Sequence, residues 1–341
     1  MRHFLVGSFS TPLTLWSWNE QDGTFTYVRT IADDGETAAP TWASQSACGQ
    51  YVYCTNELAE GASVAAFRLT EDEGGTFNLN FINRAPACGG WPCHLALDAD
   101  ATLVSNFKTG TVAALEVGTD GSLGRALFTV DNNELHSAGE AHAHQVVLGS
   151  DGIFYVVDLG TDAVYSYKRT SSWQDSTLIA TCKFPQHSGP RHLVLHSNGL
   201  HAYVMSEMGN SIFVADIDPE SRALTIKDLS MSRYSTLREG ESSEGMGGAE
   251  VLLSVDERFV YVSNRDIAES SADRSSIAVF AVLDQGKTLQ LVQHVYTCGR
   301  HPRHMALVFG GDYMVVANKD SHNLVSFRVD STTGRLSESP I

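Results

Sequence analysis

The chain has 341 residues, 43% hydrophobic and 18% charged, with 29 Gly and 9 Pro, which excludes disorder, collagen and a coiled coil. Its formal charge of -17, from 40 Asp plus Glu against 23 Lys plus Arg, repels phosphate backbones and anionic membrane surfaces and argues against nucleic acid as a partner. No apolar run approaches the roughly 20 residues needed to span a bilayer, and the opening MRHFLVGSFS reads as strand rather than signal peptide, so no membrane association and a cytoplasmic location are expected.

Taken in chain order, one phrase repeats: apolar residues running into a small or polar anchor, then a turn. It reads FLVGSF, YVYCTNE, TLVSNF, FYVVDL, AYVMSE, VYVSNR and MVVANK, with anchors Ser8, Asn56, Asn106, Asp158, Ser206, Asn264 and Asn318 spaced 48 to 58 residues apart. A second phrase precedes six of these: PTWASQS, WPCHLAL, HAHQVVL, PRHLVLH, GAEVLLS and PRHMALV. Its key residues are Trp42, His94, His144, His192, Glu250 and His304, each 14 residues before its anchor except His94, at 12.

A near-constant offset inside a variable repeat marks a rigid local unit, and its composition is that of a β-hairpin: two β-rich runs around turns such as DADA, GSDG, HSNG, SVDE or FGGD. A third run follows each time, as in VAAFRL, TVAALEV or LVSFRV, and a weaker fourth follows a turn such as EDEGGT, TDGS or STTG. Four antiparallel strands per repeat, seven times, predict an all-β, seven-bladed β-propeller occupying residues 1–341 as one domain. Helical periods of useful length, which a parallel α/β fold would need, are absent.

The count leaves seven second strands but six first strands, so the chain enters in the second strand of blade 1, and the closing LSESPI reads as the outer strand of blade 7. Two Ser-, Gly- and Glu-rich insertions, 231–248 and 266–276, read as loops. The six cysteines lack zinc-type CxxC spacing and are expected to be reduced, buried small hydrophobes, with Cys88–Cys93 the one conceivable bridge.

The hairpin geometry also locates chemistry, because the start of strand one and the end of strand two lie side by side. The start residues, those just before them and those just after the anchors therefore share one face. That face gathers Arg191, Arg265, Arg303 and Lys319 with His94, His144, His192 and His304, and with Glu57, Glu207 and Glu250. Four cations at one place in an acidic protein point to a small anionic ligand held by guanidinium contacts. Neighbouring His and Glu supply acid–base groups for neutral pH. His144 is singled out because it sits in HAH with His142, and Glu207 because it replaces a neutral residue of the repeat.

A structural reading stands beside the functional one: repeated His can bond a neighbouring blade, buried Arg can pair with Glu207 or Glu250, and the anchors, with Asp158 and Asp162 in DLGTD, are turn formers. His142 and His144 at i and i+2 of a strand would point the same way and could clip a metal, but spacing fixes no third ligand, and neither metal nor cofactor is expected. Oligomeric state is not legible.

Several phrases resemble the seven-bladed propeller lactonases, which include bacterial 6-phosphogluconolactonases and fungal 3-carboxy-cis,cis-muconate lactonizing enzymes. They are VGSFS, CTNELAEGASVAAF, GWPCHLALD, VSNFKTGTVAAL, AHAHQVV, VVDLGTDAVYSY, GPRHLVLHSNGLHAYVMSE, VYVSNRD and HPRHMAL, spread over almost the whole chain. The resemblance implies a catalytic set of His144, Arg191, Glu207 and Arg265. Substrate binding is then expected from His142, His192, Glu250, Arg303, His304, Glu57 and Lys319. It implies cofactor-free hydrolysis of a sugar lactone, first of all 6-phospho-D-glucono-1,5-lactone, with muconate cycloisomerisation as the alternative and a non-catalytic binding scaffold as the reading from a different class. The insertion after SNRD and the missing first strand depart from the family pattern.

Overall fold

The second strands of the repeats are rich in aromatic and β-branched residues and are covered on both faces, which explains why they read as continuous apolar runs rather than alternating ones. Ala101–Asn106, Ile153–Asp158 and His201–Ser206 are buried at every position. The computed structural model describes residues 2–31, 35, 37–73, 75–135, 139–268 and 274–341.

Seven antiparallel sheets follow one another in sequence, the blades of a seven-bladed β-propeller with almost no helix. Blades 2, 3, 4 and 6 have four strands in sequential order, and their first strands are Ala43–Gln45, Pro92–Leu97, Ala143–Leu148 and Met246–Leu253. Blade 1 has three strands (Arg2–Val6, Thr14–Trp18, Phe25–Thr30), and among the described residues no strand fills its first place, as the sequence count required. Blade 7 also has three (Pro302–Val308, Tyr313–Asn318, Asn323–Arg328). The C-terminal segment lies along its last strand through the Val329–Leu336 bridge and the bonds Ser337 N–H to Arg328 O and Ile341 N–H to Ser326 O.

Blade 5 corrects one expectation. Residues 231–248 are not simply a loop: Arg233–Ser235 pairs with the third strand, Ser211–Ile217, beside the short strand Leu224–Thr225. That third strand needs an outer partner for its backbone, and the insertion supplies it. Of the second insertion, residues 269–273 lie outside the described residues; at its edges Arg274 meets Asp266 at 3.1 Å and donates to the carbonyls of Ser242 and Glu244.

By contact the chain forms two compact units. One comprises Met1–Trp18, Thr26–Thr161 and Tyr167–Leu178; the other comprises Asn19–Phe25, Asp162–Ser166 and Ile179–Ile341. In the first, Val64, Leu95, Val104 and Leu115 pack blade 2 on blade 3. In the second, Met205, Ile212, Val251, Val262 and Phe280 pack blade 5 on blade 6, and Tyr261, Val279, Met305, Val316 and Phe327 pack blade 6 on blade 7. One polar contact recurs within each unit: a second-strand tyrosine donates to a turn carbonyl of the next blade, Tyr53 to Gly121 (3.1 Å), Tyr203 to Gly286 (3.0 Å) and Tyr261 to Gly334 (3.0 Å).

The anchors hold the segment that crosses to each blade's first strand. Asp158, fully buried, accepts from Asn132 Nδ2 (2.7 Å), His142 N–H (2.9 Å) and Thr161 N–H (3.0 Å). Asp162 accepts from the N–H groups of His187 and Gly189 at 2.7 Å. Asn106, Asn264 and Asn318 donate to Ala87 O, Thr236 O and Thr297 O, so these residues are structural, as their turn chemistry suggested.

The cysteines divide. Cys54, Cys93 and Cys182 are buried, whereas Cys48, Cys88 and Cys298 are exposed, against the expectation that all six are buried. Cys88 and Cys298 sit in turns at φ 58° and 53°, ahead of first strands, where the chain runs along the surface. All six are free thiols, Cys88 and Cys93 included.

Candidate active site

In blades 3 to 7 the first strand carries a β-bulge near its start, and it governs which side chains reach the site. In blade 5 Pro190 pairs with Ser206 and His192 with Met205, leaving Arg191 as the extra residue. In blade 7 Pro302 pairs with Asn318 and His304 with Ala317, leaving Arg303; blade 3 leaves Cys93 in the same way. In blade 4 the extra residue is His144 itself, between Ala143 paired with Asp158 and Gln145 paired with Val157. A bulge re-aims its side chain. His144 is therefore the counterpart of Arg191 and Arg303, not of His192 and His304. The offset of 14 had aligned it one residue out, because hairpin turns of different length hid the bulge.

In the second unit three predicted residues form one cluster. Glu207 projects from just past the second strand of blade 5, and its Oε2 lies 3.1 Å from Arg191 Nε and 2.7 Å from Arg265 Nη2. Both guanidiniums are almost fully buried, Arg191 at 2% exposure, while the Glu207 side chain keeps 25%. Both contacts are ion pairs, the Arg265–Glu207 one the shorter. Backbone carbonyls complete the cradle: Arg191 Nη1 donates to Ala249 O (2.7 Å), and Arg265 donates from Nη2 to Gly248 O (2.6 Å) and from Nε to Gly247 O (3.4 Å).

These acceptors belong to the GMGGAE stretch, whose glycines let it lie this close. A Cβ on Gly248 would fall 1.8 Å from Met205 Cε and 3.0 Å from Ser206 O, and one on Gly247 would touch Arg265 Nη2 at 3.4 Å. Burial, then Arg303 and Arg265, lower the affinity of Arg191 for its proton to a pKa of about 9, so it stays charged at neutral pH. Burial also pulls Arg265 down, against the pull of Glu207. For Glu207, burial raises the pKa but Arg265 and Arg191 outweigh it, and the carboxyl is held below its usual range.

Glu250 forms a second, deeper arrangement. Its Oε1 lies 2.7 Å from His192 Nδ1 and accepts from Val251 N–H at 3.1 Å, and its Oε2 lies 3.6 Å from His304 Nε2. Burial raises Glu250 and holds His192 well below the ordinary imidazole value, with Arg191 adding to the latter. His304 is half-exposed, its side chain at 50%, and is backed by this carboxylate. Arg303 acts on Arg191, Glu207, Glu250 and Arg265, which places its charge in the same cluster. Lys319 is exposed and pairs with Asp320 at 2.8 Å.

The remaining predicted residues lie in the first unit. His144 is buried and meets the Phe107 ring edge-on at 5.7 Å; Cys93 Sγ donates to its carbonyl at 3.2 Å. His142 stacks face-on against Phe107 at 4.6 Å, and its Nδ1 lies 2.9 Å from Phe107 O; a carbonyl only accepts, so Nδ1 carries the proton. The metal-clip reading of HAH assumed a regular strand. Here His142 precedes the strand, His144 is bulged, and both rings pack on Phe107. Glu57 accepts from Thr41 Oγ1. Among the described residues, no group of three or more His, Cys, Asp or Glu has a metal-binding arrangement.

One contributor escaped the sequence reading. His301 Nε2 lies 3.3 Å from Arg265 Nη1, and its Nδ1 lies 2.9 Å from Asp320. The signal was present: His142 and His301 both stand two residues before the bulge residue, and Leu159 and Lys319, which follow anchors, donate their N–H groups to His142 O and His301 O.

The comparisons with known proteins agree with this architecture. The chain is 27% identical to a 6-phosphogluconolactonase of Formosa agariphila, covering 98% of this chain and 94% of that one. It is 28% identical to the 6-phosphogluconolactonase of Bacillus subtilis, over 88% of this chain and 83% of that one. A solved structure of a Lactobacillus plantarum protein superposes with a TM-score of 0.82 at 27% identity, over 98% of this chain and 93% of that one. Residues 3–340 match the lactonase, seven-bladed β-propeller model, and the chain belongs to that family.

Proposed function

We propose that this protein hydrolyses a sugar lactone, and that 6-phospho-D-glucono-1,5-lactone is its substrate. The observation that carries the reading is the buried Arg191–Glu207–Arg265 cluster. Glu207 and three backbone carbonyls fix the two guanidiniums without consuming all their donors, leaving N–H groups for a bound anion. The names of two full-length relatives support the phosphorylated lactone as the first substrate to try.

In hydrolysis, water adds to the lactone carbonyl, the oxyanion collapses, and the ring oxygen leaves with a proton. Preorganised guanidinium donors stabilise the oxyanion or grip the phosphate. Glu207 is a poor base, because the arginines that fix it also hold its pKa down. The proton-handling group is then an imidazole. His144 has the family resemblance and, in its own blade, the bulge position of Arg191; His304 shares a unit with the arginines and is backed by Glu250.

The test is a pH-stat assay with 6-phosphogluconolactone beside glucono-1,5-lactone and 3-carboxy-cis,cis-muconate, with and without EDTA, on wild type, Arg191→Ala, His144→Ala and His304→Ala. Faster hydrolysis of the phosphorylated lactone, indifferent to EDTA and lost in a folded Arg191→Ala, is the expected result. Turnover of the muconate alone would make the protein a cycloisomerase. Full activity of Arg191→Ala would sink the proposal.

A further inference from the structure

His301 is placed at a backbone cost. It has φ 61°, a conformation that disfavours an L side chain, and the same register position in blade 5 is Gly189 at φ 60°. The strain costs about 1 kcal/mol or more, and residues held this way cluster where function needs them. The ring is mostly buried, its side chain 13% exposed, and both nitrogens are engaged.

The hydrogen-bond directions follow from the partners. Asp320 lies 2.9 Å from Nδ1 and is itself gripped by Lys319 Nζ at 2.8 Å. A carboxylate only accepts, so Nδ1 carries the proton and Nε2 presents a lone pair. That lone pair faces Arg265 Nη1 at 3.3 Å. Of the five guanidinium N–H bonds, Nε spends one on Gly247 O and Nη2 spends one on Gly248 O while pairing with the Glu207 carboxylate at 2.7 Å. With one Nη1 hydrogen given to His301, the other is left without a protein acceptor among the described residues.

We propose that His301 and Asp320 are a positioning pair for Arg265, with Asp320 fixing the ring so that Nε2 accepts from Nη1 and turns the remaining Nη1 hydrogen toward the bound anion. The catalytic part of this proposal rests on the lactonase reading; the geometry of the pair does not. A neutral imidazole suits the task, since it orients the guanidinium without cancelling its charge as a second carboxylate would. Arg265 from blade 6 and Arg303, Lys319 and Asp320 from blade 7 all face the ring. Burial first, then Arg265, lowers His301 to about 4, so the lone pair persists across the working range.

Two readouts test the pair. The first needs no substrate: ring-¹⁵N NMR of wild type, with the His301 signals identified by their loss in His301→Gln. The Nδ1–H tautomer, not titrating between pH 5 and 8, is expected. An Nε2–H tautomer in wild type, or a midpoint near the ordinary histidine value, would overturn the proposal. The second is kcat/KM on 6-phosphogluconolactone, where His301→Ala should lose roughly 10- to 100-fold through misplacement of Arg265. His301→Gln, whose amide can accept from Arg265 and donate to Asp320, should recover most of that. Wild-type kcat/KM in His301→Ala, or a Gln variant as poor as Ala, would refute positioning. If wild type turns over no lactone, the lactonase reading has failed and the NMR arm alone decides.

Discussion

Replacing Glu207 with Gln keeps the side-chain volume and removes the anion shared by Arg191 at 3.1 Å and Arg265 at 2.7 Å. Breaking a fully buried pair from one side costs about 3–5 kcal/mol, because the remaining charges stay desolvated. Glu207 retains 25% side-chain exposure, so water recovers part of this and about 2–4 kcal/mol is expected. For a chain of 341 residues that lowers the melting temperature by roughly 3–6 °C. The cost should also depend on pH in a defined direction. The folded-state pKa of Glu207 is depressed, so its stabilisation is present above the unfolded value of about 4.3 and is lost as pH falls through the folded pKa. Differential scanning calorimetry of wild type and Glu207→Gln from pH 7 down to about pH 3.5 should show the gap narrowing below about pH 4.3. A gap below about 1 °C at pH 7, or one that widens on acidification, would refute the assignment of Glu207 as the ionised bridge.

Glu250→Gln should show the opposite slope. Burial raises the folded pKa of Glu250, so its contribution is fully present below about pH 4.3 and is lost as pH rises through the folded value. Wild type should therefore lose its advantage over Glu250→Gln as pH rises, measured in the same calorimetric series. Gly248→Ala should cost about 1–3 kcal/mol by overpacking, since its Cβ would sit 1.8 Å from Met205 Cε; thermal unfolding checks it. Asp158→Ala strands three donors, from Asn132, His142 and Thr161, around a fully buried position and should cost roughly 3–5 kcal/mol in urea unfolding.

The strand plan was legible because each blade repeats the same alternation of apolar run and turn, and blade 1's missing first strand was legible as a gap in that count. The union of Arg191, Glu207 and Arg265 was legible too: hairpin geometry alone puts first-strand starts beside second-strand ends. What failed was alignment within the unit. The offset from His144 to Asp158 equals that from His192 to Ser206, yet the turn joining Leu148 to Phe154 is shorter than the one joining Leu195 to Ala202. A bulge and a turn length compensated, and only the backbone pairing separates them. His301 was missed for another reason: it precedes its strand, and its importance comes from a left-handed backbone and from Asp320, neither of which leaves an apolar pattern. The exposed Cys88 and Cys298 were misread because cysteine is usually buried, while turns ahead of first strands are not.

Two glutamates on neighbouring blades show why a charge list could not assign roles. Glu207 stands between two guanidiniums and stays ionised, so it serves as a fixed counter-charge that orients its neighbours. Glu250 is sealed against His192 and pushed toward its neutral form, with half-exposed His304 on its other oxygen. Environment alone drives the two carboxyls apart, the pattern that separates supporting groups from proton-handling ones. The protein as a whole carries -17, so its long-range field would oppose the anionic substrate proposed above and attraction for it would have to be local. Burying Arg191 and Arg265 against the carbonyls of Gly247, Gly248 and Ala249 meets that need, because desolvated donors act strongly at contact distance and are little screened by salt. The cost of burying two like charges side by side is offset by a single carboxylate, so the cluster keeps a net positive charge, as the proposed anionic substrate would require.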